Sequence, residues 1–164
     1  MKIMRVMTAS AVLVLLTALG IIRAQQPTPR VPSVQEQIIG TWRLVARDVV
    51  HPDGSSTLDP AYGSQYPIGY IMYDNTGHMA VQFMALDRPN DQSSRGYDAY
   101  FGTYSIDETS QPPKVTHHRE GSLNPRQAGG NVVRDLLLNG DQLKLVVHNN
   151  NDANVNVNTF ARVK

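Results

Sequence analysis

The sequence contains no cysteine among its 164 residues. This absence excludes a disulfide framework, a cysteine nucleophile and the lipidated cysteine of a bacterial lipoprotein. The chain also has no Gly-x-Ser-x-Gly element and no glycine-rich phosphate loop, so neither a serine nucleophile on an elbow nor a nucleotide site is indicated. Aromatic residues make up only 7% of the chain, and one of them is a tryptophan. Packing alone must therefore stabilise the fold, and the surroundings of the single tryptophan become informative.

A basic and then apolar segment opens the sequence. Lys2 and Arg5 precede an uncharged stretch, residues 6–22, which is followed by Arg23-Ala24. This order is typical of a secretory signal peptide, so we expect residues 1–24 to be removed and the protein to be periplasmic or extracellular. The alternative is a retained membrane anchor, although about 17 apolar residues is the short limit for a span.

The charge balance changes when the leader is set aside. The whole chain has 15 basic and 14 acidic residues, and the leader holds three of the basic ones and no acidic one, which leaves 12 against 14. No basic stripe remains, which argues against nucleic acid or an anionic membrane as a partner. After cleavage we therefore expect neither nucleic-acid binding nor stable membrane insertion.

Residues 25–35 predict a proline-rich linker before the folded domain, which we place at 36–164. The sequence Ser33-Val34-Gln35-Glu36 fits a capping box, in which Ser33 is the N-cap and Glu36 reaches back to its backbone N–H. This pattern predicts one or two helical turns that end at Gly40.

Beyond Gly40 the hydrophobic pattern has period two, with turn residues about every ten positions. Asn139-Gly140 is the strongest hairpin signal. Residues 87–98 are expected to be irregular, with a short helical turn, and Asn149-Asn150-Asn151 to form a solvated turn. The predicted strands are 41–50, 69–74, 78–85, 99–106, 114–122, 131–138, 142–148 and 155–164. The predicted fold is therefore all-β, an eight-stranded antiparallel up-and-down barrel with a short N-terminal helical turn and no exposed sheet edge.

Several segments resemble the bacterial lipocalin-like domain family. Gly40-x-Trp42 and the late Arg162 match the glycine–tryptophan element and the late arginine of lipocalins. The more specific segments are Ile39-Gly40-Thr41-Trp42-Arg43-Leu44, Gly69-Tyr70-Ile71-Met72-Tyr73, Tyr100-Phe101-Gly102-Thr103-Tyr104 and Val115-Thr116-His117-His118-Arg119-Glu120-Gly121-Ser122. The resemblance covers about residues 36–164. It implies a calycin-type barrel with a cavity for a small molecule.

Alternation along the first strand sets the inward-facing side chains. If Trp42 points inward, Arg43 and Arg47 point into water, and the inward side chains are Gly40, Leu44 and Ala46. On the last strand, Arg162 shares a face with Phe160, Asn158 and Asn156, and can lie over the Trp42 indole in a cation–π contact. We therefore expect Gly40, Trp42 and Arg162 to close one end of the barrel.

Strand 114–122 carries the most chemistry. Because Arg119 is hard to bury without a partner, we place its face outside, together with Val115 and His117. The inward face then holds Thr116, His118, Glu120 and Ser122. On the neighbouring strand Arg134 can pair with Glu120, and such a buried ion pair would fix His118 beside it.

We expect this interior to bind a small, partly apolar molecule. The predicted ligand-binding residues are Tyr73, Gln82, Tyr100, Tyr104, His118, Glu120 and Arg134. Gly102, between two tyrosines, either leaves room for a ligand or relieves strand curvature.

Two alternative functions remain open at this point. One is an isomerase or cyclase that uses His118, Glu120 and Tyr104 as acid–base groups, and the other is a structural barrel with a filled core. A zinc site on His78, His118 and Glu120 is possible in principle, but nothing in the spacing demands it. No metal or cofactor is therefore predicted.

Overall fold

The computed structural model describes residues 30–88, 95–148 and 153–164. The predicted signal peptide, most of the linker, the central part of the irregular segment 87–98 and the Asn149-Asn150-Asn151 turn lie outside the described residues. Residues 31–164 form one compact unit. No helix within the described ranges is both long and apolar enough to cross a membrane.

The fold is a closed antiparallel barrel. Its elements are α1 (Val34–Ile38), β1 (Gly40–Val50), β2 (Ser56–Leu58), β3 (Ile68–Tyr73), β4 (His78–Met84), β5 (Tyr97–Asp107), β6 (Lys114–Ser122), β7 (Asn131–Asn139), β8 (Gln142–His148) and β9 (Val155–Arg162). Strands β1 and β3 to β9 pair in sequence order, and β9 returns to β1. The predicted eight-stranded up-and-down barrel is therefore confirmed. The additional strand β2 pairs with the end of β1.

The predicted capping box is present at the start of α1. The Ser33 hydroxyl accepts a hydrogen bond from the Glu36 N–H at 3.2 Å, and the Glu36 carboxylate accepts one from the Ser33 N–H at 2.8 Å. Two backbone donors of the first turn are thereby satisfied. The helix ends at Ile38, so that the chain can enter β1 directly at Gly40.

This helix closes one end of the barrel together with Trp42 and Arg162. The buried indole donates to the Ile38 carbonyl at 2.7 Å, and the Arg162 guanidinium lies 4.0 Å from the centroid of the Trp42 ring. Arg162 also donates to the carbonyls of Gln37 and Ile39. At Gly40 a Cβ atom would lie 3.0 Å from Arg162 Nη1, with the backbone at φ +132°. The structure thus bears out the predicted contact, and glycine is favoured there because the backbone lies at a positive φ and a Cβ atom would crowd the guanidinium.

The main hydrophobic core fills the half of the barrel next to α1 and extends toward the mouth beside β4 and β5, through Tyr62, Phe83, Ala85 and Tyr100. Its side chains come from every long strand, and the largest buried ones are Trp42, Phe160, Ile38, Ile71, Leu136, Leu143, Leu145, Val81 and Val115. Burial at this density stabilises the fold at roughly 25 cal/mol per Å² of apolar surface. A rigid, packed base therefore supports the opposite half of the barrel.

Candidate functional site

A β-bulge in β1 changes which side chains point inward. Leu44 pairs with Phe160 and Ala46 with Thr159, so Val45 is an extra residue without a partner. A bulge of this kind moves the following side chains to the other face. The prediction that Ala46 faces inward and Arg47 faces water is therefore wrong. The Arg47 side chain is only 17% exposed.

Up to Arg119, strand β6 presents the opposite face from the predicted one, whereas Ser122 pairs with the inward-facing Tyr100 and is inward as predicted. His117 and Val115 are fully buried, whereas Glu120 is exposed. The His118 ring lies within hydrogen-bonding distance of Ser105 and Asn131 on the outer surface. The predicted inward positions of His118 and Glu120 are therefore wrong.

The reason for this error lies in Arg119 and in a second bulge. Arg119 donates to the Gly130 carbonyl at 3.3 Å and to Gln127 Oε1 at 3.0 Å, so it is accommodated on the inward face without a carboxylate. Phe101 pairs with Gly121 and Gly102 with Arg119, which leaves Glu120 as the extra residue of the bulge.

Gly102 lies opposite this bulge because the two strands approach closely there. A Cβ atom at Gly102 would lie 2.0 Å from the carbonyl oxygen of His118. Of the two sequence-based interpretations, the structure favours relief of backbone crowding over extra room for a ligand. A glycine inside a strand was the one sequence signal that could have indicated the bulge.

Arg134 points inward as predicted, but its partner is His117 and not Glu120. Arg134 Nη1 donates to His117 Nδ1 at 2.8 Å, and Nη2 donates to the Tyr100 hydroxyl at 2.9 Å. Since a guanidinium has no acceptor, Nδ1 must accept, and the neutral ring carries its hydrogen on Nε2. That nitrogen lies 2.7 Å from the Tyr73 hydroxyl and donates to it. The tautomer of His117 is thereby assigned by the hydrogen-bond network.

Burial and neighbouring charge keep this network in one protonation state. Burial lowers the pKa of His117 well below 6.5, and the Arg134 and Arg119 guanidinium groups lower it further. Burial likewise raises the pKa values of Tyr73 and Tyr100 above 10.0, although the positive charge of Arg134 opposes that shift. At neutral pH the cluster thus holds a neutral imidazole, two phenols and a guanidinium, and it can donate more hydrogen bonds than it can accept.

Of the other predicted ligand-binding residues, Tyr104 lies at the closed end of the barrel and Gln82 lies on its outer surface. Tyr104 is buried beside Tyr73, with ring centroids 4.8 Å apart. Its hydroxyl donates to the Asp74 carbonyl and accepts from Gln35, so it belongs to the closed end. Gln82 is exposed on the outer face of β4, because it alternates with the buried Val81 and Phe83, and its predicted inward position is wrong.

The arrangement of these side chains supports neither the alternative of acid–base catalysis nor that of a zinc site. His118 and Glu120 face outward, whereas Tyr104 faces the closed end, so the three side chains do not converge. His78 is exposed at the start of β4. Among the described residues there is no group of three or more His, Asp or Glu side chains that could hold a metal ion.

On β1, β6, β7 and β8, inward-facing side chains become more accessible with distance from α1, whereas Phe83 on β4 and Tyr100 on β5 stay buried. Along β7, Leu136 is 2% exposed, whereas Arg134 and Val132 are half-buried. The same change occurs on three other strands, at the half-buried residues Val49, Arg119 and Val147. Because these side chains point into the barrel, solvent reaches them through its mouth. We call this region, lined by Val49, Arg119, Val132, Arg134 and Val147, the open half.

A cavity of about 540 Å³ lies at the mouth of the barrel. Its lining includes Arg47, Tyr62, Tyr97, Asp98, Leu123 and Gln127. Gln127 connects the cavity to the interior, because it accepts the hydrogen bond from Arg119.

An ion pair supports the wall of this cavity. Arg47 donates to Asp59 at 2.7 Å and to the buried Asn158 at 2.7 Å, and its guanidinium lies 4.8 Å from the centroid of the Tyr62 ring. Burial raises the pKa of Tyr62 to about 12, so its hydroxyl stays protonated. This cluster could not be predicted from the sequence, because the bulge reverses the face that alternation assigns to Arg47, and because Asp59 and Tyr62 lie in a loop without periodicity.

Comparison with known proteins agrees with the geometry. Among curated proteins, none matches the sequence. The family model described as a lipocalin-like domain matches residues 39–163, which is more than half of the chain. That match begins just before β1 and includes the eight barrel strands and the additional strand β2. Together with the closed eight-stranded barrel, it shows that the chain belongs to the lipocalin-like domain family.

Proposed function

We propose that the protein binds a small, partly apolar molecule in the open half of its barrel. The observation that carries this proposal is the gradient of accessibility, in which the helix end is packed while inward-facing residues as deep as Arg134 stay half-buried. A barrel with a purely structural role would be expected to fill both halves. The mouth cavity of about 540 Å³ adjoins the open half at Gln127, which accepts a hydrogen bond from Arg119. Its volume is that of ordinary small-molecule sites, which run from about 300 to 1,000 Å³.

The chemistry of the wall supports a ligand with both apolar and polar parts. Val49, Val132 and Val147 supply apolar surface, and Arg119 and Arg134 supply hydrogen-bond donors at fixed positions. Apolar surface with a few convergent polar groups is the usual composition of a ligand pocket. The ligand would enter at the mouth and lie against the valines.

A fluorescent probe and a pair of neighbouring substitutions test this proposal. Nile red is neutral and brightens in apolar surroundings, so its titration reports binding without knowledge of the natural ligand. Val132→Trp would fill the open half, and we expect it to weaken Nile red binding about tenfold or more, since the lost contacts exceed the 1.4 kcal/mol that corresponds to tenfold. Val133→Trp is the matched control, because Val133 is the adjacent residue and is 52% exposed on the outer surface.

The outcome separates an interior site from surface adsorption. Equal Nile red affinity in Val132→Trp and in the unmodified protein would refute an interior site, as would a larger loss in Val133→Trp. Mass spectrometry of organic extracts from the purified protein then identifies any co-purified molecule. The same extraction from Val132→Trp should yield less of it.

We also propose that the protein is exported. The support is the order of charges and apolar residues in 1–24, which is typical of a cleavable leader. The intact mass of the protein recovered from the periplasmic or culture fraction tests this proposal, and a start at Gln25 is expected. Recovery of a chain that retains residues 1–24 in the cytoplasmic fraction would contradict it.

A further inference from the structure

We propose that the open half recognises a carboxylate on its ligand through Arg134, with Arg119 nearer the mouth as a second contact. This inference rests on the proposed function and adds the chemical class of the ligand, an apolar molecule with a carboxylate group.

Positive charge exceeds negative charge around the open half. Arg47 is already paired with Asp59 at 2.7 Å. Arg119 and Arg134 have no carboxylate partner among the described residues, and their hydrogen-bond acceptors are neutral groups. Asp98 lines the mouth cavity and, among the described residues of this region, is the one acid that remains to balance these two guanidinium groups. The described part of the site therefore carries a net charge of +1, which one monoanion would neutralise.

Arg134 has more hydrogen-bond donors than the described residues have acceptors for it. A guanidinium has five N–H groups, and Arg134 directs one to His117 Nδ1 and one to the Tyr100 hydroxyl. Its other N–H groups have no acceptor in the described part of the chain. Arg134 is half-buried, so solvent reaches these N–H groups through the mouth. A ligand with acceptor oxygens would accept from them in place of water.

Arg119 and Arg134 lie at different depths in the barrel, near the same tyrosine. The guanidinium carbons of Arg119 and Arg134 each lie 5.9 Å from the centroid of the Tyr100 ring, so both cations lie close to the same aromatic ring. Val115 pairs with Arg134, whereas Arg119 lies four residues further along β6 toward the mouth. Arg119 also contacts Gln127, which lines the mouth cavity. A carboxylate that enters the barrel would meet Arg119 first and Arg134 deeper inside.

Carboxylate is the anion that fits this arrangement. The planar fork of arginine matches the two oxygens of a carboxylate in a bidentate contact. The apolar side chains at Val49, Val132 and Val147 would then contact the rest of the molecule. A dianion would leave the site with a net charge of −1, next to Asp98.

The test compares an acid with an alcohol of the same chain length. Dodecanoate and 1-dodecanol each compete with bound Nile red, and the ratio of their inhibition constants measures the preference for the carboxylate. We expect dodecanoate to compete about tenfold more strongly in the unmodified protein, since a charge-assisted hydrogen bond is stronger than a neutral one by about 1.4 kcal/mol, which corresponds to a tenfold difference in affinity. Arg134→Gln should reduce the ratio to nearly one. Because both inhibition constants are measured within the same variant, a change in the affinity for Nile red cancels in this ratio.

Two further variants complete the design. Arg43→Gln is the matched control, because Arg43 is exposed on β1, and it should keep the full preference. Arg119→Gln should reduce the preference by a smaller factor, and it serves as the second test should Arg134→Gln fail to fold. Equal competition by acid and alcohol in the unmodified protein, with Nile red still bound, would overturn the carboxylate assignment alone. Retained preference in both Arg134→Gln and Arg119→Gln would also overturn it, whereas loss of interior Nile red binding would refute the proposed function itself.

Discussion

Replacement of His117 by glutamine is expected to remove one contribution to the loss of stability at acid pH, namely the protonation of His117 in the unfolded chain alone. His117 is fully buried in the native barrel, and its pKa there lies well below 6.5 because of burial and the adjacent guanidinium groups. In the unfolded chain the ring titrates near its ordinary value of about 6.5. The unfolded state therefore binds a proton below that pH while the folded state does not, so stability is lost as the pH falls.

The size of the effect follows from linkage. Above about pH 6.5 the ring is neutral in both states and contributes no pH dependence; well below it, the free energy of unfolding falls by about 1.4 kcal/mol per pH unit until the folded-state pKa is reached. A ring that stays neutral in the fold throughout the interval accounts for about 2 kcal/mol between about pH 7.5 and about pH 5. Carboxylates add their own dependence, which cancels when the variant is compared with the unmodified protein.

Glutamine is the informative substitution because it can accept from Arg134 and donate to Tyr73, as His117 does, and it has no titratable group. Urea unfolding followed by the fluorescence of the buried Trp42 gives the free energy at each pH. The variant should be less stable at about pH 7.5, and the gap should close or reverse by about 2 kcal/mol at about pH 5. His118→Gln alters an outer-surface ring and should keep the unmodified protein's acid loss.

A gap between His117→Gln and the unmodified protein that stays constant with pH would refute this reasoning. Such a result would mean that the folded protein protonates His117 as readily as the unfolded chain does. The Arg134 contact to Nδ1 could not then exist as described, since a protonated ring has no acceptor. A large acid effect in His118→Gln alone would refute the assigned orientation of β6.

Three further substitutions address the closure, the bulge and the mouth. Arg162→Ala should lower the free energy of unfolding by about 2–4 kcal/mol, because a cation–π contact and charged hydrogen bonds to carbonyls are lost; a loss below about 1 kcal/mol in urea unfolding would contradict the closure role. Gly102→Ala should cost more than Gly140→Ala, since an added Cβ atom at the first site meets a carbonyl at 2.0 Å and at the second meets no atom within 4 Å; thermal melts that rank them in reverse would argue against the close strand approach. Asp59→Ala should cost about 3–5 kcal/mol, because it leaves Arg47 partly buried without its carboxylate, and a simultaneous Arg47→Met substitution should recover much of that loss.

The sequence was sufficient for the architecture because each architectural signal is local. Ser33 and Glu36 form their capping box within one turn, and the order of strands follows from turn residues such as Asn139-Gly140. Trp42 and Arg162 lie far apart in sequence, but each stands at a strand end in a closed barrel, and the family resemblance suggested their contact. These features need no knowledge of the strand registers.

The site could not be predicted with the same success, because two bulges interrupt the alternation. Val45 is apolar and Glu120 is polar, and neither differs from the residues that a regular strand would place there. A single extra residue reverses every inward assignment beyond it, which is why Arg47 was assigned to water. The inward position of His117 was missed for a different reason. Arg119, on the same face, was expected to need a carboxylate partner, although backbone and amide oxygens accept its hydrogen bonds.

The packed base around Trp42 and Arg162 has a kinetic consequence for any molecule held in the open half. With the α1 end filled, arrival and departure share the same passage through the mouth. A substitution on the rim that only raises or lowers the barrier in this passage changes both rate constants by the same factor, and the equilibrium constant stays fixed. A substitution that touches the bound molecule changes the dissociation rate preferentially. Paired measurements of both rates would therefore distinguish gatekeeping side chains from contact side chains, even before the bound molecule has been identified.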